Sequence, residues 1–194
     1  MRKILLTLMS LALVMLPGMA LSTELVTNGG FETGSFAGWT VSGNTGFTGV
    51  SSGDVHSGSS SAFLGPVGSL GFISQTLPTV NGGVYDLRFW LQHDGGSPNE
   101  FQVFWAGNNI FDNTDPTAFG YALESVSNLT ATGPTVVTFG FREDPAYYHL
   151  DDVSVTEAAA AVPEPTTMLL LGSGLIGLAG YGRKKFVIHE YLHL

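Results

Sequence analysis

The chain has 194 residues, 16 acidic against 7 basic side chains, a formal net charge of −9 and no cysteine. Between residues 23 and 161 the imbalance sharpens, because Arg88 and Arg142 are the only cations among fourteen carboxylates. Such a body repels phosphate backbones, which excludes nucleic acid as a partner, and without thiols it forms neither disulfides nor Cys-ligated metal centres.

Residues 1–22 read as a secretory signal peptide. Arg2 and Lys3 precede an apolar run from Ile4 to Leu16, and Gly18, Ala20 and Ser22 are small residues suited to cleavage. That run is too short to span a bilayer comfortably.

The segment 23–156 is expected to be the one folded domain. Glycine and serine punctuate it every few residues. In 85–92, Tyr85, Leu87, Phe89 and Leu91 alternate with Asp86, Arg88, Trp90 and Gln92. In 100–105, Phe101, Val103 and Trp105 alternate with Gln102 and Phe104; in 135–141, Val137, Phe139 and Phe141 alternate with Val136, Thr138 and Gly140. Period two in β-branched and aromatic residues marks strands that bury one face, and no stretch of the body keeps a helical period. Each buried face needs another sheet to cover it, so the fold class expected is an all-β sandwich.

Residues 157–165 form a linker of alanines and two prolines. Residues 166–182 are uncharged and mostly apolar. As a helix they would reach about 25 Å, slightly less than the hydrocarbon core, and a single transmembrane helix is expected there. Arg183, Lys184 and Lys185 follow, and the positive-inside rule would hold 183–194 in the cytoplasm as a basic stop with an extension.

With "VPEP" at 162–165, a short apolar span and then "RKKF", the tail resembles the PEP-CTERM sorting tail of exported bacterial proteins. The matching residues are Pro163, Glu164 and Pro165, then Arg183, Lys184 and Lys185. The resemblance implies transient anchoring in the inner membrane of a Gram-negative-type bacterium and processing by an exosortase-like enzyme. Delivery to the cell surface, exopolysaccharide matrix or biofilm would follow. The tail departs from that pattern by continuing with "VIHEYLHL".

Three motifs lack the context their chemistry needs. "HEYLH" (189–193) spells a zincin pair at the free end of the chain. "GSGLIG" (172–177) has no strand before it, and "GVSSG" (49–53) has no helix expected after it. Ser51 in the last motif reads as a turn residue.

Opening with Asn28, Gly29, Phe31, Glu32, Gly38 and Trp39 and closing with Leu150, Asp151, Asp152, Val153 and Val155, the body resembles galactose-binding-like jelly rolls, the fold of many carbohydrate-binding modules. The resemblance implies a jelly-roll β-sandwich with a structural calcium at Glu32 and Asp151 or Asp152. Independently, Leu150 and Val153 break the parity of one strand, which predicts a bulge at Asp151–Asp152. Two adjacent carboxylates there need either free solvent or a compensating cation such as calcium.

For a glycan, the outward faces offer Arg88, Trp90 and Gln92 as the candidate ligand-binding residues, with Gln102, Phe104 and Arg142 as further polar and aromatic positions. A loop or sheet covering Trp90 is the alternative. Both arginines are expected to be ion-paired, and Trp39 and Trp105 to pack in the core. His56, His93 and His149 lie apart with no metal-ligand spacing. Pairs such as Glu143–Asp144 or Asp94–Glu100 lack a sequence-level sign of the cleft that glycoside hydrolysis requires. The expectation is an exported, non-catalytic surface protein. A polysaccharide-binding module and a purely structural matrix protein both fit it, and a secreted glycoside hydrolase is a third reading.

Overall fold

The computed structural model describes residues 22–159 and 170–176. The chain divides into two compact units, and the first, ending at Ala158, contains every strand among the described residues. These are β1 (Thr40–Gly43), β2 (Thr48–Ser51), β3 (Ser61–Leu64), β4 (Gly71–Leu77), β5 (Val84–His93), β6 (Asn99–Trp105), β7 (Asn108–Thr114), β8 (Phe119–Thr130), β9 (Thr135–Glu143) and β10 (Tyr148–Glu157).

The strands form two antiparallel five-stranded sheets. Sheet 1 runs β1-β4-β9-β6-β7 and sheet 2 runs β2-β3-β10-β5-β8. The pairings nest: β6 with β7, β5 with β8, β4 with β9 and β3 with β10. That is one long hairpin rolled over itself, the path of a jelly roll. Its innermost turn is Ala106–Gly107, where both residues take positive φ (50° and 80°) and so match the twist of a two-residue hairpin.

The alternation in the sequence sorts residues between core and surface as expected. Tyr85, Leu87, Phe89 and Leu91 of β5 are buried, facing Phe101 and Val103 of β6 and Phe139 and Phe141 of β9. Phe89 touches Phe101, Phe111 and Phe139 at ring-centroid distances of 5.4–5.9 Å. Trp39 and Trp105 are buried, each donating its indole N–H to a backbone carbonyl.

Three expectations need correction or a limit. Ser51 ends the edge strand β2 opposite Ser61 rather than sitting in a turn. Residues 1–21 of the signal segment, the Pro-Glu-Pro motif and the basic cluster at 183–185 lie outside the described residues. Of the expected span 166–182, the described part is a seven-residue helix at 170–176. Among the described residues, no helix is long and apolar enough to cross a membrane.

Candidate functional site

The first and last segments of the domain are stitched together. Glu24 bridges to Thr156, its carboxylate accepts the amides of Val26 and Val155, and Leu25 donates to the Val155 carbonyl. Val153 donates to the carbonyl of Gly29 at 3.0 Å. A Cβ on Gly29 would lie 1.9 Å from the Val153 oxygen, so only glycine fits there. Asn28 bonds the Ser35 and Ala37 carbonyls, and Phe31, fully buried, stacks on Trp39 at 5.9 Å.

Within this seam, β10 bulges where the broken parity predicts, between Asp151 and Ser154, with Asp152 at φ 47°. The bulge sets both carboxylates against the loop between β2 and β3. Asp151 accepts the amides of His56 (3.0 Å) and Ser57 (3.1 Å), and Asp152 accepts His56 Nδ1 (2.6 Å) and Ser57 Oγ (2.9 Å). Glu32 accepts the amides of Ser59 and Ser60 from the same loop. Burial raises the Asp151 carboxyl above the ordinary range, against the backbone N–H groups that favour its anion.

A ligand atom from each of His56, Asp151 and Asp152 lies within 4.8 Å of the others. Of the residues expected to hold a metal, Asp151 and Asp152 therefore converge. Glu32 grips the same loop but stands outside that group, and His56, which sequence spacing passed over, joins it. Residue 56 and residue 152 are 96 apart, so only the fold brings them together.

The same loop decides the outer face of sheet 2. Trp90 is half-buried because His56 stacks on it at 3.7 Å and 17°. Tyr121 of β8 meets His56 edge-on at 5.4 Å and donates its hydroxyl to the Asp54 carbonyl; burial pushes that phenol up to about 12. Gln92 is half-buried and reaches Asp94 at 3.4 Å. Arg88 is exposed and, contrary to the expected ion pair, has no carboxylate within salt-bridge distance among the described residues.

Sheet 1 presents a different outer face. Its rows run across the strands as Ser42, Phe72, Gly140, Gln102 and Asp112, and as Thr40, Ser74, Thr138, Phe104 and Asn109. Gly140 has no side chain, and the rings of Phe72 and Phe104 close over it. An added Cβ would lie 3.0 Å from Phe72 and 3.5 Å from Phe104. Both phenylalanines are half-buried, so together they make an aromatic strip among the polar residues of these two rows.

Around the strip, Gln102 donates to Glu100 (2.6 Å) and Asp112 (3.0 Å). Hydrogen bonds from Thr114 and Gln102 hold the exposed Asp112 carboxyl below its ordinary range. Arg142, opposite Glu100 in the register, pairs with Asp144. Sequence alternation places Gln102 and Phe104 outward, but Phe72 and the role of Gly140 emerge only from the register between β4, β9 and β6.

At one end of the core the two sheets meet through polar side chains. His93 of β5 and Glu143 of β9 are fully buried against each other, through Nε2 and Oε2. His93 stacks on Tyr148 at 4.5 Å, whose hydroxyl donates to Asn99 at 2.8 Å. Burial drives both members of the pair toward their neutral forms: His93 is lowered, and Glu143 is raised to about 7. Both side chains are shielded from solvent.

Residues 161–184 match the model of the PEP-CTERM protein-sorting motif. The first solved structure of similar fold is TmCBM61 in complex with β-1,4-galactotriose, at 21% identity and TM-score 0.60, over 71% of this chain and all of that one. The C-terminal family 22 carbohydrate-binding module of Clostridium thermocellum Xyn10B follows at 14% identity and TM-score 0.51, over 72% and 96% of the two chains. The K3 adhesin domain of Lys-gingipain from Porphyromonas gingivalis is similar at 17% identity and TM-score 0.51, over 70% and 99%. No curated protein matches the chain. The chain therefore carries a PEP-CTERM protein-sorting motif, the mark of an exported and membrane-processed protein, together with a β-sandwich of the architecture found in carbohydrate-binding modules.

Proposed function

We propose that the sandwich is a non-catalytic polysaccharide-binding module, carried to the cell surface or its surrounding matrix by the sorting motif, and that the outer face of sheet 1 is its glycan platform. The observation that carries this reading is the Phe72–Gly140–Phe104 strip. Sugar rings present apolar C–H faces and equatorial hydroxyls, and they bind where aromatic surface lies beside convergent polar groups. Here Gln102, Glu100, Asp112, Ser74 and Thr138 surround the two rings.

The test is titration calorimetry of the purified protein with β-1,4-galactan and xylan oligosaccharides. Saturable binding is expected, with Phe72→Ala and Phe104→Ala each weakening it tenfold or more, about 1.4 kcal/mol. A Trp90→Ala variant should bind as the wild type does. No binding to any glycan, or binding indifferent to both phenylalanines, overturns the reading in favour of a structural matrix protein.

We further propose that Asp151 and Asp152, with Glu32 beside them, hold a structural calcium. Calcium takes hard oxygen ligands in adaptable geometry, and a desolvated carboxylate next to a second one favours a divalent cation. The amides of residues 56, 57, 59 and 60 already serve these carboxylates, so the ion would share them with the loop and tighten the clasp. Thermal unfolding with calcium and then chelator should show a reversible rise, largely lost in Glu32→Ala. An unchanged midpoint overturns it.

A further inference from the structure

Resting on the glycan reading, we infer that the platform selects neutral polysaccharides and rejects chains bearing uronate or sulfate groups. The distribution of charge on the domain sets this preference. The domain has two cations, and Arg88 lies on β5, an outward position of sheet 2, on the far side of the sandwich from the strip. Arg142 is the one cation on the sheet 1 face, and its guanidinium is committed twice to the Asp144 carboxylate through Nε (3.1 Å) and Nη2. Glu100 stands opposite it in the register. Beside the strip the register therefore sets Asp112 and Glu100, and the one guanidinium of this face is already paired with Asp144 beyond the end of β9.

An anionic glycan recognises cations, above all the bidentate fork of an unpaired arginine. This face offers none among the described residues. Asp112 is exposed and bonded by Thr114, Gln102 and Asn109, so it remains an anion at neutral pH. A uronate laid along Phe72 and Phe104 would bring its charge within about a Debye length of these carboxylates, where repulsion is not screened away at low salt. Neutral hydroxyls meet the opposite situation, since the carboxylates and the Gln102 side-chain carbonyl accept hydrogen bonds from them directly, the Gln102 N–H groups being held by Glu100 and Asp112.

Affinity electrophoresis of the purified full chain tests this, with β-1,4-galactan and xylan as neutral matrices and polygalacturonate and dextran sulfate as anionic ones. Retention by at least one neutral matrix is expected to be ten or more times tighter than by either anionic matrix at 50 mM salt, a deliberately low-screening condition of about 14 Å Debye length. The gap should narrow at high salt, and it should narrow at least threefold in a Glu100→Gln/Asp112→Asn double variant at low salt. Equal or tighter retention by polygalacturonate, or a gap that ignores both salt and the double variant, overturns the selectivity and leaves glycan binding standing. Retention by none of the four overturns both.

Discussion

On β5 the outward residues Arg88, Trp90 and Gln92 alternate with a buried row, and on β6 Glu100, Gln102 and Phe104 do the same. Each set offers one aromatic ring among polar neighbours. In the folded chain they diverge. The loop between β2 and β3 lies over Trp90, with His56 stacked on the indole and Asp151 and Asp152 anchoring the loop from β10. Nothing comparable covers Phe104 among the described residues. It gains a second ring, Phe72, because Gly140 between them leaves room. The bulge and the glycine decide which aromatic is covered and which stays available, and neither lies on the strands that carry Trp90 and Phe104.

The largest effect should come from removing the anchor that makes the two faces unlike. Asp151→Ala deletes the acceptor of the His56, Ser57 and Asp152 amides at a fully buried position. Leaving buried donors unpaired should cost about 3 kcal/mol, read as a drop in the urea midpoint. The loop should lift from the indole, so a change in Trp90 fluorescence, assigned with a Trp90→Phe control, should accompany it. Glycan binding at the sheet 1 face should persist under conditions where the variant is folded. An unchanged midpoint would mean that the loop rests on Trp90 without needing the bulge, and the contrast between the faces would then have another origin.

The fold was largely legible because jelly-roll strands bury one face and the alternation is kept where it matters. The patterns at 85–92, 100–105 and 135–141 correspond to β5, β6 and β9. The bulge was legible too, from the three-residue spacing of Leu150 and Val153. Edge strands were harder to see. β8 is twelve residues long, yet only Leu129 is buried, so it carries little alternation. The sites were legible only in part, because they depend on register. His56 meets Asp152 across 96 positions, and Phe72 and Phe104 both lean over a glycine whose importance lies in what it lacks. Asp144 beside Arg142 was within sequence reach, but the solitude of Arg88 was not.

The smallest effect concerns the polar layer that joins the two faces from inside, where His93 backs the strand of Trp90 and Glu143 backs the strand of Arg142. Folded, the pair is driven by burial toward one shared proton: Glu143 is raised from 4.5 to about 7 and His93 is lowered from 6.5. Asp144, Asp94 and Asp115 add repulsion against the Glu143 anion. In the unfolded chain the two groups also hold one proton in total between about pH 4.5 and 6.5, so stability should be flat there. Above 6.5 the unfolded histidine releases its proton while the folded pair keeps one until about 7, so stability should fall, at about 1.4 kcal/mol per pH unit. Below 4.5 the unfolded chain binds a second proton that the buried pair resists, and stability falls again. The alkaline loss spans roughly half a unit, which makes it under about 1 kcal/mol. Urea unfolding at pH 5.5, 6.5 and 8 should reveal it as the difference between the wild type and Glu143→Gln, whose alkaline limb should be flat. If both proteins lose stability equally, the pair does not titrate as a unit. If glycan affinity follows the same limb, the layer couples the covered face to the open one, and the two faces are not independent.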